Sequence, residues 1–202
     1  MKKKLFVLFL ITVFAMTIGL SSCSKEEPSD VPEDTSEEAE AIGAKYGYTG
    51  DDPIEAAVYA YLAGEVSKNY DPADVSIPTV DIFAADFSDD DDILVYGDYS
   101  VDNYNIEDKT LVRVSGGHYP GVMHVSSDNV VTAFDQVADG SDFDASAEEL
   151  FGEYYEDFKE VYADSDAREK LRRATIADYV RLNLLEVGYF QDEGSEPVPL
   201  DH

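Results

Sequence analysis

The spacing of apolar residues predicts a helix at the start of the folded region. Asp52, Pro53 and Glu55 have the form of a helix start, with Asp at the N-cap, Pro at the first helical position and Glu in the first turn. Apolar residues then recur at helical spacing, at Ile54, Ala57, Val58, Tyr61, Leu62 and Val66. Because the pattern fades before Pro72, we expect this helix over about residues 53–69.

From Ile77 the apolar period shortens to two residues, which is typical of β-strands. The pattern predicts a strand over 77–85, an acidic turn at 86–92 and a second strand over 93–101. Asp102 and Asn103 resemble a turn, and residues 104–107 continue the strand past a bulge. Further β-patterned runs at 110–115, 122–126 and 130–137 give four or five antiparallel strands with short connections.

The stretch Gly116 to Gly121, which reads GGHYPG, lies between two of these runs. Glycine permits positive φ and proline removes a backbone donor, so the stretch predicts either a hairpin loop or a strong bend in a strand. We expect Gly116, Gly117, Pro120 and Gly121 to be present for backbone geometry.

Two helices are predicted after residue 140. Ser146 to Glu149 has the form of a capping box, and an apolar and aromatic stripe follows from Leu150 to Tyr162. Residues 166–169 can cap a last helix that runs to about Leu185. The tail from residue 188 carries two prolines and is expected to pack as an extended strap or to fray.

The order helix, antiparallel strands, helices predicts an α+β domain: an N-terminal helix, a four- to five-stranded antiparallel sheet and two C-terminal helices, gathered on one face of the sheet. Over residues 52–137 this order resembles the cystatin-like and NTF2-like architectures, in which sheet and helix form a cone. Such a resemblance implies no activity by itself.

The first residues predict export. Lys2, Lys3 and Lys4 precede an apolar run that ends at Leu20-Ser21-Ser22-Cys23, the layout of a secretory signal. The last four residues resemble the lipobox of bacterial lipoproteins, in which the cysteine becomes the lipid-modified first residue. We therefore expect a signal peptide over 1–22 and a Cys23 whose acyl chains enter the lipid bilayer of the cell envelope, in the outer membrane or at the surface of a diderm cell. The alternative is an ordinary signal peptide with an incidental cysteine.

Residues 23–50 are rich in Glu, Asp, Ser and Pro and predict a disordered acidic tether, which leaves 51–202 as a single domain. The formal charge is −30, and removal of the three signal lysines leaves 11 basic against 44 acidic residues. A chain this acidic repels nucleic acid, so we expect no nucleic-acid partner. Cys23 is the sole cysteine, which excludes an intramolecular disulfide and a second thiol.

His118 and His124 flank the glycine-rich stretch and are the candidate ligand-binding residues, with Asp98, Tyr99 and Tyr119 as neighbours on adjacent strands. A histidine oriented by aspartate or tyrosine in a pocket can act as a general base near neutral pH. Against this, strand alternation favours Met123 and Val125 as core residues, which would leave His124 exposed. Three histidines and no available cysteine disfavour zinc.

Asp139, Asp142 and Asp144 are candidate calcium ligands, because carboxylate oxygens suit Ca²⁺ and these residues precede a helix. They lack EF-hand spacing. Asx-turns and helix capping offer the alternative explanation of their positions.

The last predicted helix holds five of the 11 mature basic residues, namely Arg168, Lys170, Arg172, Arg173 and Arg181. They indicate either a docking patch for an acidic partner or pairing with acids of the same domain, including those of the preceding helix.

The segments VSGGHYPGVMHV, VADGSDFDASAEELFGEYYEDF and IADYVRLN resemble a group of small exported lipoproteins of gut bacteria that has no assigned activity. The leading hypothesis is therefore a lipid-anchored, envelope or surface-displayed, non-enzymatic binding module with a protein or small-molecule ligand. One alternative is an NTF2-like small-molecule-binding protein or enzyme that uses the cavity between sheet and helices. A second is a calcium-dependent binding protein.

Overall fold

The computed structural model describes Tyr48 and residues 50–200. The predicted signal peptide, Cys23 and most of the predicted tether lie outside these residues. The helices are α1 (Pro53–Gly64), α2 (Phe143–Phe151), α3 (Tyr155–Ala163) and α4 (Ser165–Leu182). The strands are β1 (Val75–Asp86), β2 (Ile93–Glu107), β3 (Thr110–His118), β4 (Gly121–Val125), β5 (Val131–Gln136), β6 (Tyr189–Gln191) and β7 (Val198–Pro199).

The long strand β2 is the centre of the sheet. It pairs with β1 along one edge, and with β3 and β4 end to end along the other, all antiparallel. Between β3 and β4 the ladder continues, because the backbone N–H of Tyr119 donates to the carbonyl of Tyr99 at 2.7 Å. The glycine-rich stretch is therefore a bend within one strand path, which decides between the two predicted forms.

The glycines of this bend are required by close approach rather than by positive φ. Gly116, Gly117 and Gly121 all lie outside the positive-φ region. A Cβ on Gly116 would lie 2.7 Å from the carbonyl oxygen of Val101, and one on Gly121 would collide with the carbonyl oxygen of Asp135. The prediction that the three glycines serve backbone geometry is confirmed, but the expected reason, positive φ, was wrong.

Three further strands widen the sheet. β5 pairs with β4 antiparallel, β6 pairs with β3 in parallel, and β7 pairs with β6 antiparallel. The α+β class is confirmed, but the described residues form a mixed sheet of seven strands instead of four or five antiparallel ones. The two unexpected strands, β6 and β7, come from the tail, which takes the extended one of its two expected forms.

Helices cover both faces of the sheet, so the prediction of a single covered face is wrong. Successive side chains of a strand point to opposite faces. On β2, Val95 and Tyr99 pack against α1. Leu94 and Tyr96 pack against α2 and α3, and Tyr104 packs against α4.

The predicted first helix is confirmed. The Asp52 carboxylate accepts hydrogen bonds from the backbone N–H groups of Ile54 and Glu55 at 2.8 and 3.2 Å. The α-helix ends at Gly64, and a 3-10 turn over Val66–Asn69 completes the predicted span. The Glu55 side chain accepts from the hydroxyl of Tyr48 at 2.8 Å, so the last part of the predicted tether packs on α1.

The two predicted C-terminal helices are three in the structure. Gly152, with φ +52°, separates α2 from α3 within the aromatic stripe, since a residue in this conformation ends an α-helix. Ser146 lies inside α2, where its hydroxyl accepts from the backbone N–H of Ala138 at 2.9 Å. Asp164, not Asp166, caps α4 by accepting from the N–H of Ala167 at 2.9 Å.

No helix of the described region is long and apolar enough to cross a membrane.

Candidate functional site

A polar strip interrupts the apolar face of the sheet that α2, α3 and α4 cover. Asp98, Ser100 and Asp102 occupy alternate positions of β2, between Tyr96 in one apolar cluster and Tyr104 in another. Asp98 and Asp102 are each only 5% exposed. Burying ionised carboxylates costs free energy unless they are paired, so we expect Asp98 and Asp102 to have positively charged or hydrogen-bonding partners.

A cavity of about 680 Å³ lies over this strip, bounded by β1, β2, β3, the first half of α4 and the segment after β6. This volume is within the usual range of small-molecule sites. Its acidic lining residues are Asp81, Asp98, Asp102, Glu169 and Asp192. Its basic lining residues are Arg113, Arg168 and Arg172, with His118 beside them.

His118 and Asp98 form a hydrogen-bonded pair on the cavity wall. His118 lies opposite Ser100 in the β2–β3 ladder, which places it diagonally across from Asp98 on the same face. Its Nε2 donates to Oδ1 of Asp98, and its ring lies 5.6 Å from that of Tyr162. The His118 side chain is 35% exposed, and its Nδ1 has no hydrogen-bond partner among the described residues. A buried carboxylate that orients a reachable imidazole is the arrangement of a general base.

Arg168 of α4 is the cation with the fewest partners in this cavity. Its Nε lies 4.0 Å from Oδ2 of Asp98, beyond hydrogen-bonding distance, and its guanidinium is 5.0 Å from the ring centre of Tyr162. Within the described part of the chain, this Nε is the one buried side-chain polar atom without a hydrogen-bond partner. Such an unsatisfied donor is unusual in a folded protein, because buried polar groups are nearly always hydrogen-bonded.

The other two arginines of the cavity each donate hydrogen bonds to carboxylates of the protein. Arg113 donates to Oδ1 of Asp102 at 2.6 Å. Arg172 donates to both carboxylate oxygens of Asp192, at 3.1 and 2.7 Å, to Glu169 at 2.9 Å and to the hydroxyl of Tyr104.

The charge of Glu169 is stabilised by the same network. Burial acts to raise the pKa of Glu169, but hydrogen bonds from Arg172 and Arg173 outweigh it and hold the pKa below its ordinary value. This end of the cavity is therefore an internal network that ties α4 to β2 and to the C-terminal segment.

Asp81 differs from Glu169, because its pKa is raised and not lowered. It lies directly across from Asp98 in the β1–β2 ladder, so both carboxylates are on the same face. Burial, and then the negative charge of Asp98, raise the pKa of Asp81. The Asp81 carboxylate makes no hydrogen bond or ion pair to any residue in the described range.

No protein-family model, no curated protein and no solved structure matches the chain. The resemblances to cystatin-like and NTF2-like folds and to exported lipoproteins therefore stay predictions. The function proposed below therefore rests on the cavity and its charged residues.

Of the five predicted ligand-binding residues, the structure brings His118 and Asp98 together. Tyr99 borders the cavity, but its side chain is fully buried on the α1 face, where its hydroxyl donates to the carbonyl of Val95 at 3.0 Å. Tyr119 packs beside the same core, and its hydroxyl is hydrogen-bonded to that of Tyr70. Neither tyrosine side chain belongs to the polar strip.

His124 lies apart from the cavity, near the surface of β4. Met123 and Val125 are fully buried, as strand alternation predicted, and the side chain of His124 is 25% exposed. Its Nδ1 lies 2.9 Å from Asp92, and its Nε2 lies 3.3 Å from Asp135. Burial acts to lower the pKa of His124, but the hydrogen bonds to the two carboxylates outweigh it and the pKa is raised.

Asp139, Asp142 and Asp144 are exposed around the start of α2. The described residues contain no group of three or more His, Cys, Asp or Glu side chains that could hold a metal ion. Calcium binding by these three residues stays a prediction from composition.

Four of the five basic residues of α4 pair with acids of the same domain, as the second alternative predicted, whereas Lys170 has no ion pair within the described residues. Arg173 donates to Glu169 at 2.8 Å and Arg181 to Asp178 at 2.9 Å, both within α4. The partners differ from the expected ones, since they lie on α4, β2 and the C-terminal segment.

Sequence reasoning missed Asp81, Asp102, Arg113 and Asp192 as cavity residues. The signal available was the alternation of Asp98, Ser100 and Asp102. It was obscured because Asp102-Asn103 resembles a turn, whereas both residues are buried inside β2.

Proposed function

We propose that the protein is a binding module that takes a small charged molecule into the cavity between the sheet and α4. With the export signal and Cys23 as predicted, it would present this cavity from a lipid anchor in the cell envelope. This proposal combines two hypotheses from the sequence: a lipid-anchored binding module, and a small-molecule-binding protein that uses the cavity between sheet and helices. It requires no nucleic acid and no metal ion.

The observation that carries the proposal is the unsatisfied Nε of Arg168. A buried donor without an acceptor costs about 1–3 kcal/mol, and a ligand oxygen would recover that free energy once the guanidinium turns toward it. The Arg168 side chain is 34% exposed and lies 5.0 Å from the ring centre of Tyr162, so its guanidinium is reachable from the cavity. An anionic group on the ligand is the natural acceptor for an arginine.

A thermal-shift comparison tests this proposal. The purified protein is melted with acetate, succinate, phosphate, alanine or glucose, alongside Arg168→Gln and the control Arg173→Gln. Arg173 lies on the same helix, and its Nε already donates to Glu169. We expect at least one of the four ionic compounds to raise the melting temperature of the wild type and of Arg173→Gln, but not of Arg168→Gln. The proposal fails if no ionic compound acts, or if Arg168→Gln responds like the wild type.

A second candidate is an enzyme with His118 as general base. It is supported by the hydrogen bond between His118 and the buried Asp98. Ser100, which carries a hydroxyl, also lies directly opposite His118 in the β2–β3 ladder. The pair would take a proton from Ser100 or from a bound water.

Hydrolysis of p-nitrophenyl acetate tests this second function. We expect turnover above the buffer rate that is lost in His118→Asn. Equal rates for the wild type, His118→Asn and buffer would exclude it for this ester.

A further inference from the structure

We propose that the ligand of this cavity is a small zwitterion with an ammonium group close to a carboxylate, as in an α-amino acid. The carboxylate is bound by Arg168 and the ammonium by Asp81. This inference rests on the proposed function and specifies the class of its ligand.

Arg168 is the cavity arginine available for a carboxylate. Arg113 and Arg172 already donate to carboxylates of the protein, so a ligand would have to displace those partners. The Arg168 side chain donates no hydrogen bond within the described residues and is 34% exposed, so the two Nη groups of its guanidinium can face the two oxygens of a ligand carboxylate. A ligand carboxylate can therefore bind Arg168 without displacing a hydrogen bond, although it competes with the 4.0 Å ion pair to Asp98.

Asp81 is the carboxylate available for an ammonium group. It lines the cavity and has no hydrogen bond or ion pair within the described residues, whereas Asp98 beside it is bonded to His118. Two adjacent carboxylates repel each other, and a cation that binds the unpaired one relieves this repulsion. Three donors on an ammonium group can be shared between Asp81 and Asp98.

The two groups lie near each other because both neighbour Asp98. Asp81 faces Asp98 across the β1–β2 ladder, where opposing Cα atoms are about 4.5–5.5 Å apart. The Nε of Arg168 lies 4.0 Å from Oδ2 of Asp98. A ligand that contacts both must carry its opposite charges a few bonds apart, as an α-amino acid does.

Charge also selects against simpler ligands. A plain carboxylic acid bound at Arg168 brings a negative charge toward Asp81 and Asp98. A plain amine bound at Asp81 brings a positive charge toward Arg168. A zwitterion adds no net charge to the cavity and meets an opposite charge at each end, so it is favoured over either half.

Isothermal titration with matched ligand forms tests the inference. Alanine, glutamine and phenylalanine are each compared with the N-acetyl form, which lacks the ammonium, and with the amide form, which lacks the carboxylate. The side chain is varied because the cavity volume exceeds that of alanine. The protein variants are Asp81→Asn, Arg168→Gln and the control Asp178→Asn, an exposed residue of α4 outside the cavity.

We expect at least one free amino acid to bind the wild type and Asp178→Asn about tenfold or more tightly than either of its modified forms. In Asp81→Asn the advantage over the N-acetyl form should disappear, and in Arg168→Gln the advantage over the amide form should disappear. Asp81→Asn should fold at least as stably as the wild type without ligand, because it removes a repulsion with Asp98.

Two results would overturn the inference. If an N-acetyl form binds as tightly as its free amino acid, and binding depends on Arg168 but not on Asp81, the ligand is a simple anion and the proposed function survives. If none of the free amino acids binds at millimolar concentration, the zwitterion is wrong, and the thermal-shift series with acetate, succinate and phosphate decides the fate of the proposed function.

Discussion

Arg172 of α4 donates two hydrogen bonds, of 3.1 and 2.7 Å, to Asp192 of the C-terminal segment. The same guanidinium lies 3.6 Å from Asp102 in the centre of β2. One side chain, 16% exposed, therefore links the helix, the central strand and the tail. This link closes one end of the cavity and explains why a short tail can add strands to the sheet.

Arg172→Met is expected to destabilise the protein strongly. It leaves the carboxylates of Asp102 and Asp192 without this partner. Removing one member of a buried pair costs about 3–5 kcal/mol, and the cost here should be smaller, about 2–3 kcal/mol, because Asp192 is 36% exposed and Asp102 keeps its hydrogen bond from Arg113. Urea denaturation measures the change, with Arg181→Met as the control. Arg181 is 63% exposed and pairs only with Asp178, so its loss should cost less than about 1 kcal/mol. Similar costs for the two variants would contradict the link.

Gly121→Ala is expected to destabilise the bend between β3 and β4. A Cβ there would collide with the backbone carbonyl of Asp135 on β5, and backbone cannot move aside as a flexible side chain can. We expect a loss of about 1–3 kcal/mol by thermal or urea unfolding. Gly64→Ala, at the end of α1, is the matched control, because its Cβ would meet nothing within 4 Å and alanine favours the helix. A Gly121→Ala protein as stable as Gly64→Ala would show that the strand path does not need this close approach.

His124 is expected to stabilise the protein more at mildly acidic pH than at alkaline pH. Its pKa is raised above the ordinary 6.5 by Asp92 and Asp135. A raised pKa means that the folded state binds the proton more tightly. The stabilisation is therefore complete below about pH 6.5, while the carboxylates remain ionised, and is lost as the pH rises through the folded pKa.

The His124→Gln variant measures this effect. It should lose about 0.5 kcal/mol at about pH 6, since partly exposed pairs are weak, and almost nothing at about pH 9. Proton NMR titration of His124 should give a pKa above that of a free histidine. A value at or below it would contradict the double pairing.

Calcium is expected to leave the melting temperature unchanged. Asp139, Asp142 and Asp144 are exposed, and the described residues gather no metal-binding group. A ligand that binds the native state must stabilise it by mass action, so the comparison of millimolar calcium with chelator is decisive. A rise in calcium that is lost in Asp142→Asn would instead establish the calcium-binding alternative.

Local features of the structure were predictable because local physics produces them. The cap at Asp52 needs only backbone donors two and three residues away, and the burial of Met123 and Val125 follows from strand alternation. Cap positions were less secure in the C-terminal helices, where several Ser and Asp residues compete. In α4 the N-cap is Asp164 and not the predicted Asp166.

Pairing between strands decided what local composition could not. Asp102 and Asn103 resemble a turn, yet each has a partner that makes burial tolerable: Arg113 donates to Asp102, and Asn103 donates to Ser115 at 3.0 Å. Likewise, the glycine-rich stretch continues a strand because β2 is long enough to pair on both sides of it.

The sequence by itself determined the α+β class and the first helix with its cap. It left the tail as either extended or frayed, and it placed His118 and Asp98 among five candidate binding residues. The tertiary structure alone decided the cavity, because its charged groups come from segments far apart in the chain. Asp81 and Arg168 are 87 positions apart, and no local pattern relates them. Only the β1–β2 register and the packing of α4 place an unpaired carboxylate and an unsatisfied guanidinium beside the same buried aspartate.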